Sequence, residues 1–119
     1  MAEKQLLLDY IYGHERKLAD QVFLTQPLGN GQVENLTWAQ AMDQARRMAS
    51  HLQAQGFEPG ARIALLSKNT AHFMIAELAI WMAGYTTVAI FPTESADTIQ
   101  YVLEHSGASL LFVGKLDTW

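Results

Sequence analysis

Residues 61–93 read ARIALLSKNTAHFMIAELAIWMAGYTTVAIFPT, and the order of elements in this stretch decides the fold. Arg62 to Ser67 is a short apolar run of the kind that fills a buried strand, introduced by the turn residues Pro59 and Gly60. Asn69 or Thr70 can cap a helix that reaches Met82 or Ala83, with Gly84 as its terminator. Thr86 to Phe91 is β-branched and apolar, hence a second strand, and Pro92 ends it because proline has no N–H to give to a ladder. Ala71 to Phe91 approaches the ~20 apolar residues of a membrane span, but His72 and Glu77 interrupt it and Gly84 punctuates it. Helix, turn and strand account for it without a bilayer.

Downstream, Ser95 can cap a helix with Ile99, Val102 and Leu103 inward, and Gly107 stops it before a strand at Ser109 to Val113. Upstream, Trp38, Ala41, Met42, Ala45, Met48, Ala49 and Leu52 form one stripe of a helix over 37–52. Thr37 and Gln40 have the spacing of a capping box, and Gly56 can take the left-handed position after the last turn. The order helix, strand, helix, strand, helix, strand predicts an α/β fold, with a mostly parallel sheet, helices on its faces and right-handed crossovers.

Two elements precede this pattern. Val22 to Gln26 and Val33 to Leu36 flank Pro27-Leu-Gly-Asn-Gly31 and read as an antiparallel hairpin at the edge of the fold. Leu7, Leu8, Ile11, Tyr12 and Leu18 fall at helical spacing within Glu3 to Ala19, an amphipathic amino-terminal helix that Gly13 weakens. No repeat, low-complexity tract or linker divides the chain, so residues 1–119 are expected to form one small subdomain. Residues 114–119 carry no stop signal, and the chain is expected to end in mid-fold.

A length of 119 residues, half of them apolar and 17% charged, suits a modest globular core. Eight basic residues against twelve acidic ones give a formal charge of −4, and the basic residues are scattered, which excludes a nucleic-acid footprint. With no cysteine there is neither a disulfide framework nor a thiolate metal site, as suits a cytoplasmic protein. The apolar run near the start is too short for the core of an export signal.

A nucleotide-binding α/β domain needs a glycine-rich loop between a strand and a helix, where backbone N–H groups cradle phosphate. Gly29-Asn-Gly31 resembles the start of one, but Glu34 stands where a third glycine belongs and a strand follows, so it reads as a hairpin turn. Open parallel sheets gather ligands at the carboxyl ends of their strands, which singles out Ser67, Lys68 and Asn69 after one strand and Thr93, Glu94 and Ser95 after the next. Asn69 and Ser95 have a sufficient role as caps, and Lys68 and Glu94 read as solvated loop charges. His14, His51, His72 and His105 are too far apart for a metal pair, and His105 lies in the last turn of a helix, where positive charge suits the backbone dipole. Asp43 and Glu77 lack a companion carboxylate at a catalytic spacing. Trp38, Trp81, Met42, Met48, Met74 and Met82 read as packing, and no nucleophile elbow is present. These residues alone give an α/β domain with no visible site: catalytic, cofactor-binding and metal residues are all expected to be none.

Leu36-Thr-Trp-Ala-Gln-Ala41, Gly56-Phe-Glu-Pro-Gly-Ala-Arg-Ile-Ala64, Asn69, Trp81-Met-Ala-Gly84 and Phe91-Pro-Thr93 resemble, in order and spacing, the amino-terminal region of adenylate-forming (AMP-binding) enzymes. The first of these is similar to the family's Leu-Thr-Tyr motif with Trp38 in place of the tyrosine. Trp81 to Pro92 is similar to the second, an Ala-Gly pair before a strand ending in proline, with Tyr85 where alanine is frequent. Ile90-Phe-Pro-Thr-Glu-Ser-Ala-Asp97 and Tyr101-Val-Leu-Glu-His-Ser-Gly107 look most like long-chain fatty acid–CoA ligases, whose strand commonly ends in Tyr-Pro-Thr; here Phe91 replaces the tyrosine. Aryl-CoA ligases, luciferases and peptide-synthetase adenylation domains share the earlier pattern.

The resemblance implies the amino-terminal part of the acyl-CoA synthetase fold and a reaction using ATP, Mg2+ and coenzyme A on a fatty acid, in a cytoplasmic or membrane-peripheral parent enzyme. The phosphate loop, the nucleotide contacts and the catalytic lysine of such enzymes lie later in the chain, so this segment is expected to be an inactive scaffold that binds none of those groups and self-associates through uncovered apolar faces. Two rival readings stand beside it. One is a free-standing small α/β binding or interaction module, which a reading frame continuing past Trp119 into a phosphate loop would exclude. The other is an adenylating enzyme acting on another carboxylate or a carrier protein.

Overall fold

The computed structural model describes residues 6–116. Its chain forms α1 (Leu7–Leu18), β1 (Val22–Gly29), β2 (Gln32–Thr37), α2 (Trp38–Ala54), β3 (Arg62–Leu66), α3 (Ala71–Met82), β4 (Thr86–Ile90), α4 (Ala96–Ser106) and β5 (Leu110–Val113). It divides into two compact units, one up to Gln44 and one from Ala45 onward, with the boundary inside α2.

In the first unit, the Asp9 carboxylate accepts the Leu6 N–H at 3.0 Å, while Arg16 and Lys17 occupy the last turn of α1, so charge at both ends favours the helix dipole. The predicted start of this helix at residues 3–5 lies outside the described residues. β1 and β2 pair antiparallel in a two-stranded sheet of their own. Asn30 and Gly31 turn the chain with φ of 55° and 76°, the doubly positive geometry of a two-residue hairpin turn, so Gly29-Asn-Gly31 has a purely structural use. Trp38 anchors the unit: its ring stacks on Phe23 at 3.8 Å and lies 5.7 Å from the His14 ring, and its backbone N–H donates to the Gln21 carbonyl. The capping box forms as the spacing predicts, with the Thr37 N–H donating to Gln40 Oε1 and the Gln40 N–H donating to Thr37 Oγ1.

The second unit is a parallel sheet in the order β4-β3-β5, in continuous register from Arg62 opposite Thr86 to Leu66 opposite both Ile90 and Val113. The central strand is the most buried part of the chain, with Ile63 and Ala64 fully enclosed. Side chains alternate across a strand. Ala64, Leu66 and Ile90 on one face meet Ile99, Val102 and Leu103 of α4, the three residues that helical spacing places inward. The crossovers run in opposite directions, from β3 to β4 and from β4 back past β3 to β5, with α4 on the Ala64 and Leu66 face and α3 on the Leu65 face. α3 buries Ala71, Ile75, Leu78 and Ala79, the i, i+4, i+7, i+8 stripe that covers a sheet. Gly84 and Gly107 follow the last turns of α3 and α4 with positive φ.

Tyr85, the residue that departs from the motif's usual alanine, is buried. Its ring meets Phe57 edge-on at 5.8 Å and its hydroxyl donates to the Phe57 carbonyl. The larger side chain closes the turn that leads into β3.

Candidate functional site

Because α3 and α4 leave β3 and β4 toward opposite faces, their two strand-end loops separate and leave a crevice, the place where open parallel sheets hold ligands. A cleft of about 430 Å³ occupies this position, lined by Ser67, Lys68, Asn69, Phe73, Phe91 and Pro92 with the last residues of β4. The sequence-derived candidates divide. Ser67, Lys68 and Asn69 line the cleft; Thr93, Glu94 and Ser95 do not, because the chain turns at once, the Glu94 N–H donating to the Phe91 carbonyl.

The helix caps correct one assignment. Thr70, not Asn69, caps α3, its hydroxyl oxygen accepting the Phe73 N–H at 3.1 Å. The cap must stand in extended conformation immediately before the first helical residue, and Thr70 holds that position with φ −141° and ψ 169°. Asn69 is thereby left exposed on the cleft wall. Ser95 caps α4 as its sequence position predicts, accepting the Thr98 N–H at 3.2 Å.

Ser67 is buried, and its hydroxyl donates to the Lys68 carbonyl at 2.8 Å, so it is a satisfied structural group rather than an activated nucleophile. Behind it lies a smaller, mostly apolar recess of about 220 Å³, walled by Met48, Leu65, Phe73, Ala76 and Phe112, with His72 at its margin. Ser67 and Phe73 separate the two spaces. Phe73 and Phe91 were not legible as wall residues; the available signal was that Phe73 stands four residues after Asn69 on the first turn of a helix beginning at the strand end.

The remaining polar candidates do not converge. His14 lies beside Trp38, His51 beside Gln55, His105 stacks on Tyr101 at 5.5 Å, and His72 borders the apolar recess. Among the described residues no three His, Cys, Asp or Glu side chains stand together as a metal site. Glu77 in α3 is held above the ordinary carboxylate value by burial, and it does not line the cleft. Each helix that begins at a strand end has one first-turn N–H taken by its own cap, that of Phe73 by Thr70 and that of Thr98 by Ser95. The cleft combines an aromatic wall, Phe73 and Phe91, with the polar side chains of Lys68 and Asn69.

Known proteins agree with this architecture. The profile of the family described as AMP-binding enzyme matches residues 14–118. The chain is similar to the long-chain-fatty-acid–CoA ligase FadD15 of Mycobacterium bovis, 34% identical over 102 residues that cover 86% of this chain and 17% of the relative. It is also similar to a component of the linear gramicidin synthase of Brevibacillus parabrevis, 36% identical over 78 residues, 66% of this chain and 2% of the relative. Among solved structures, the fatty acid AMP ligase from Legionella pneumophila superposes with a TM-score of 0.83 at 25% identity, over 93% of this chain and 20% of that one. The chain thus spans less than a fifth of the length of these two curated relatives. It belongs to the AMP-binding enzyme family.

Proposed function

We propose that this chain is the supporting amino-terminal subdomain of a long-chain fatty acid–CoA ligase. The observation that carries the reading is the 34% identity over 86% of the chain to a ligase of that name, joined to the Ile90-Phe-Pro-Thr93 strand end. In the proposed reaction a fatty carboxylate oxygen attacks the α-phosphorus of ATP and the bond to pyrophosphate breaks. The sulfur of coenzyme A then attacks the acyl carbon, its thiol proton is lost, and AMP leaves. Magnesium would neutralise phosphate charge, and on this reading no step is assigned to this chain's side chains.

What the chain contributes is support. The apolar sheet, covered by α4 on one face and α3 on the other, fixes the positions at which β3 and β4 end. The caps at Thr70 and Ser95 hold the loops that follow. On this reading residues 1–119 are one subdomain, carry no catalytic, cofactor-binding or metal residue, are inactive alone and self-associate when separated from the rest of the enzyme. The proposed setting is the cytoplasm or a membrane surface; no helix among the described residues is long and apolar enough to cross a bilayer.

A second reading, adenylation of an amino acid for a carrier protein, is favoured by the 36% identity to the gramicidin synthase component. ATP–pyrophosphate exchange by the whole polypeptide, with palmitate and with a panel of amino acids, separates the two. Palmitate-dependent exchange followed by palmitoyl-CoA formation is the expected result. Exchange with an amino acid alone and no CoA product would replace the first reading with the second.

A further inference from the structure

The chain has three asparagines, Asn30, Asn35 and Asn69, and only Asn30 is followed by glycine. An asparagine can be attacked by its own chain: the backbone nitrogen of the next residue bonds to the side-chain Cγ and closes a five-membered imide. A side chain on that next residue hinders the closure, as Leu36 does after Asn35 and Thr70 after Asn69. Gly31 has none. Asn35 is held further by Thr25, whose Oγ1 donates to its Oδ1 at 2.9 Å. Asn30 is therefore the reactive asparagine of the chain wherever the backbone is free to move.

The fold withholds that freedom. Asn30 and Gly31 are the two central residues of the turn closed by the Gly29–Gln32 pair, with φ of 55° and 76°. This is the mirror image of a type I turn, in which ψ of the first central residue is about +30°. For an L residue that value points the next nitrogen almost directly away from Cβ, so the Gly31 nitrogen stays out of bonding reach of the Asn30 Cγ whatever the side-chain rotamer. Ring closure requires Asn30 to rotate about its Cα–C bond until the Gly31 nitrogen lies over Cβ, and the turn must open first. β1 and β2 form a two-stranded sheet of their own, an arrangement with little cooperative support, so its tip is a place where local opening is easy.

We propose that Asn30 is a latent deamidation site, shut while the turn is folded and reactive when the hairpin tip opens. The Gly31 nitrogen gives up its proton and forms the N–Cγ bond, the Cγ–Nδ2 bond breaks, and ammonia leaves with that proton. Water then opens the imide at one of its two carbonyls, its hydroxyl staying on carbon and its other hydrogen returning to the Gly31 nitrogen. Attack at Cγ breaks the new bond and leaves aspartate, which tolerates the left-handed backbone, so the turn closes again with one added negative charge. Attack at the main-chain carbonyl breaks the original peptide bond and leaves isoaspartate, with the chain routed through Cβ and one backbone atom longer. A two-residue turn does not take that extra atom in the same geometry, so this product keeps the tip open. The modification is thus a permanent record of an opening, and it depends on the turn alone, not on which carboxylate the enzyme uses.

Peptide mapping by mass spectrometry after incubation in mildly alkaline buffer tests this, with the rate at each asparagine measured in the folded chain and in the chain unfolded by guanidinium. The unfolded chain is expected to form aspartate and isoaspartate at residue 30 before either other asparagine reacts. The folded chain should do so about tenfold or more slowly, the factor being set by the fraction of time the tip is open. Val33→Gly weakens β2 beside the turn without touching the reacting atoms, and should raise the folded rate about threefold or more. Should that variant lose the hairpin outright, guanidinium below the unfolding transition gives the same graded test on the unaltered chain. Equal rates at Asn30 in the folded and unfolded chains, faster reaction at Asn35 or Asn69 in the unfolded chain, or a folded rate indifferent to Val33→Gly and to low guanidinium alike would each overturn the proposal.

Discussion

Gly114 lies against Ser67 so closely that no side chain fits between them: a Cβ added to Gly114 would stand 2.7 Å from the Ser67 Cβ. Around this contact the Gly114 N–H donates to the Leu66 carbonyl at 2.9 Å and the Lys68 N–H donates to the Lys115 carbonyl at 2.8 Å. The two segments therefore stay joined past the ends of β3 and β5, where Ser67 and Gly114 both line the apolar recess.

Gly114→Ala forces these backbones apart in a packed region, and is expected to destabilise by about 1–3 kcal/mol. The measurement is urea unfolding of the second unit's far-UV signal. Ser67→Gly removes the opposing Cβ, so the double variant should recover part of the loss; independent, additive effects would mean the close approach is unimportant.

The Thr37–Gln40 capping box gives a local test of helix initiation. Thr37→Ala removes the acceptor for the Gln40 N–H and should cost about 1 kcal/mol. Gln40→Ala leaves that bond and frees only the Thr37 N–H, so a smaller loss is expected, and the two effects should be non-additive in a double-mutant cycle.

Thr87 Oγ1 is a buried side-chain oxygen without a hydrogen-bond partner among the described residues. Thr87→Val keeps the branched shape a strand favours and removes the unsatisfied group, so it should stabilise by about 1 kcal/mol. A loss of stability on thermal unfolding would mean that the hydroxyl is satisfied in solution.

Glu77 supplies a pH dependence with a definite sign. Burial raises its pKa above 4.5 in the folded chain, so the folded state disfavours the carboxylate relative to the unfolded state. The destabilisation is absent below pH 4.5, where both states are protonated, appears as the pH rises, and is complete above the folded pKa. Glu77→Gln should therefore raise the thermal midpoint at pH ~7 and make no difference near pH ~4. Equal gains at both pH values would trace the effect to packing instead.

The architecture was legible because local signals agreed with one another: turn residues separated apolar runs, and the inward set Ile99, Val102 and Leu103 follows from helical spacing alone. The caps were legible to within one residue. Asn69 and Thr70 are both good caps, and only backbone conformation assigns the role to Thr70. The cleft was half legible. Strand ends can be found from sequence, so Ser67, Lys68 and Asn69 were placed, but which loop turns away depends on bonds such as that from the Glu94 N–H to the Phe91 carbonyl, and so Thr93, Glu94 and Ser95 were grouped with a site they do not line. The Gly114–Ser67 approach is a tertiary contact with no local signature.

The central claim is that this chain supports a site without forming one. Calorimetric titration of the chain with ATP–magnesium, and separately with a long-chain acyl-adenylate analogue, at protein concentrations where its oligomeric state is known, tests it most directly. The account predicts no saturable heat with either ligand. Saturable binding of about one ligand per chain, weakened by Asn69→Ala or Phe91→Ala while the fold is retained, would contradict it and make the cleft between β3 and β4 a binding site in its own right.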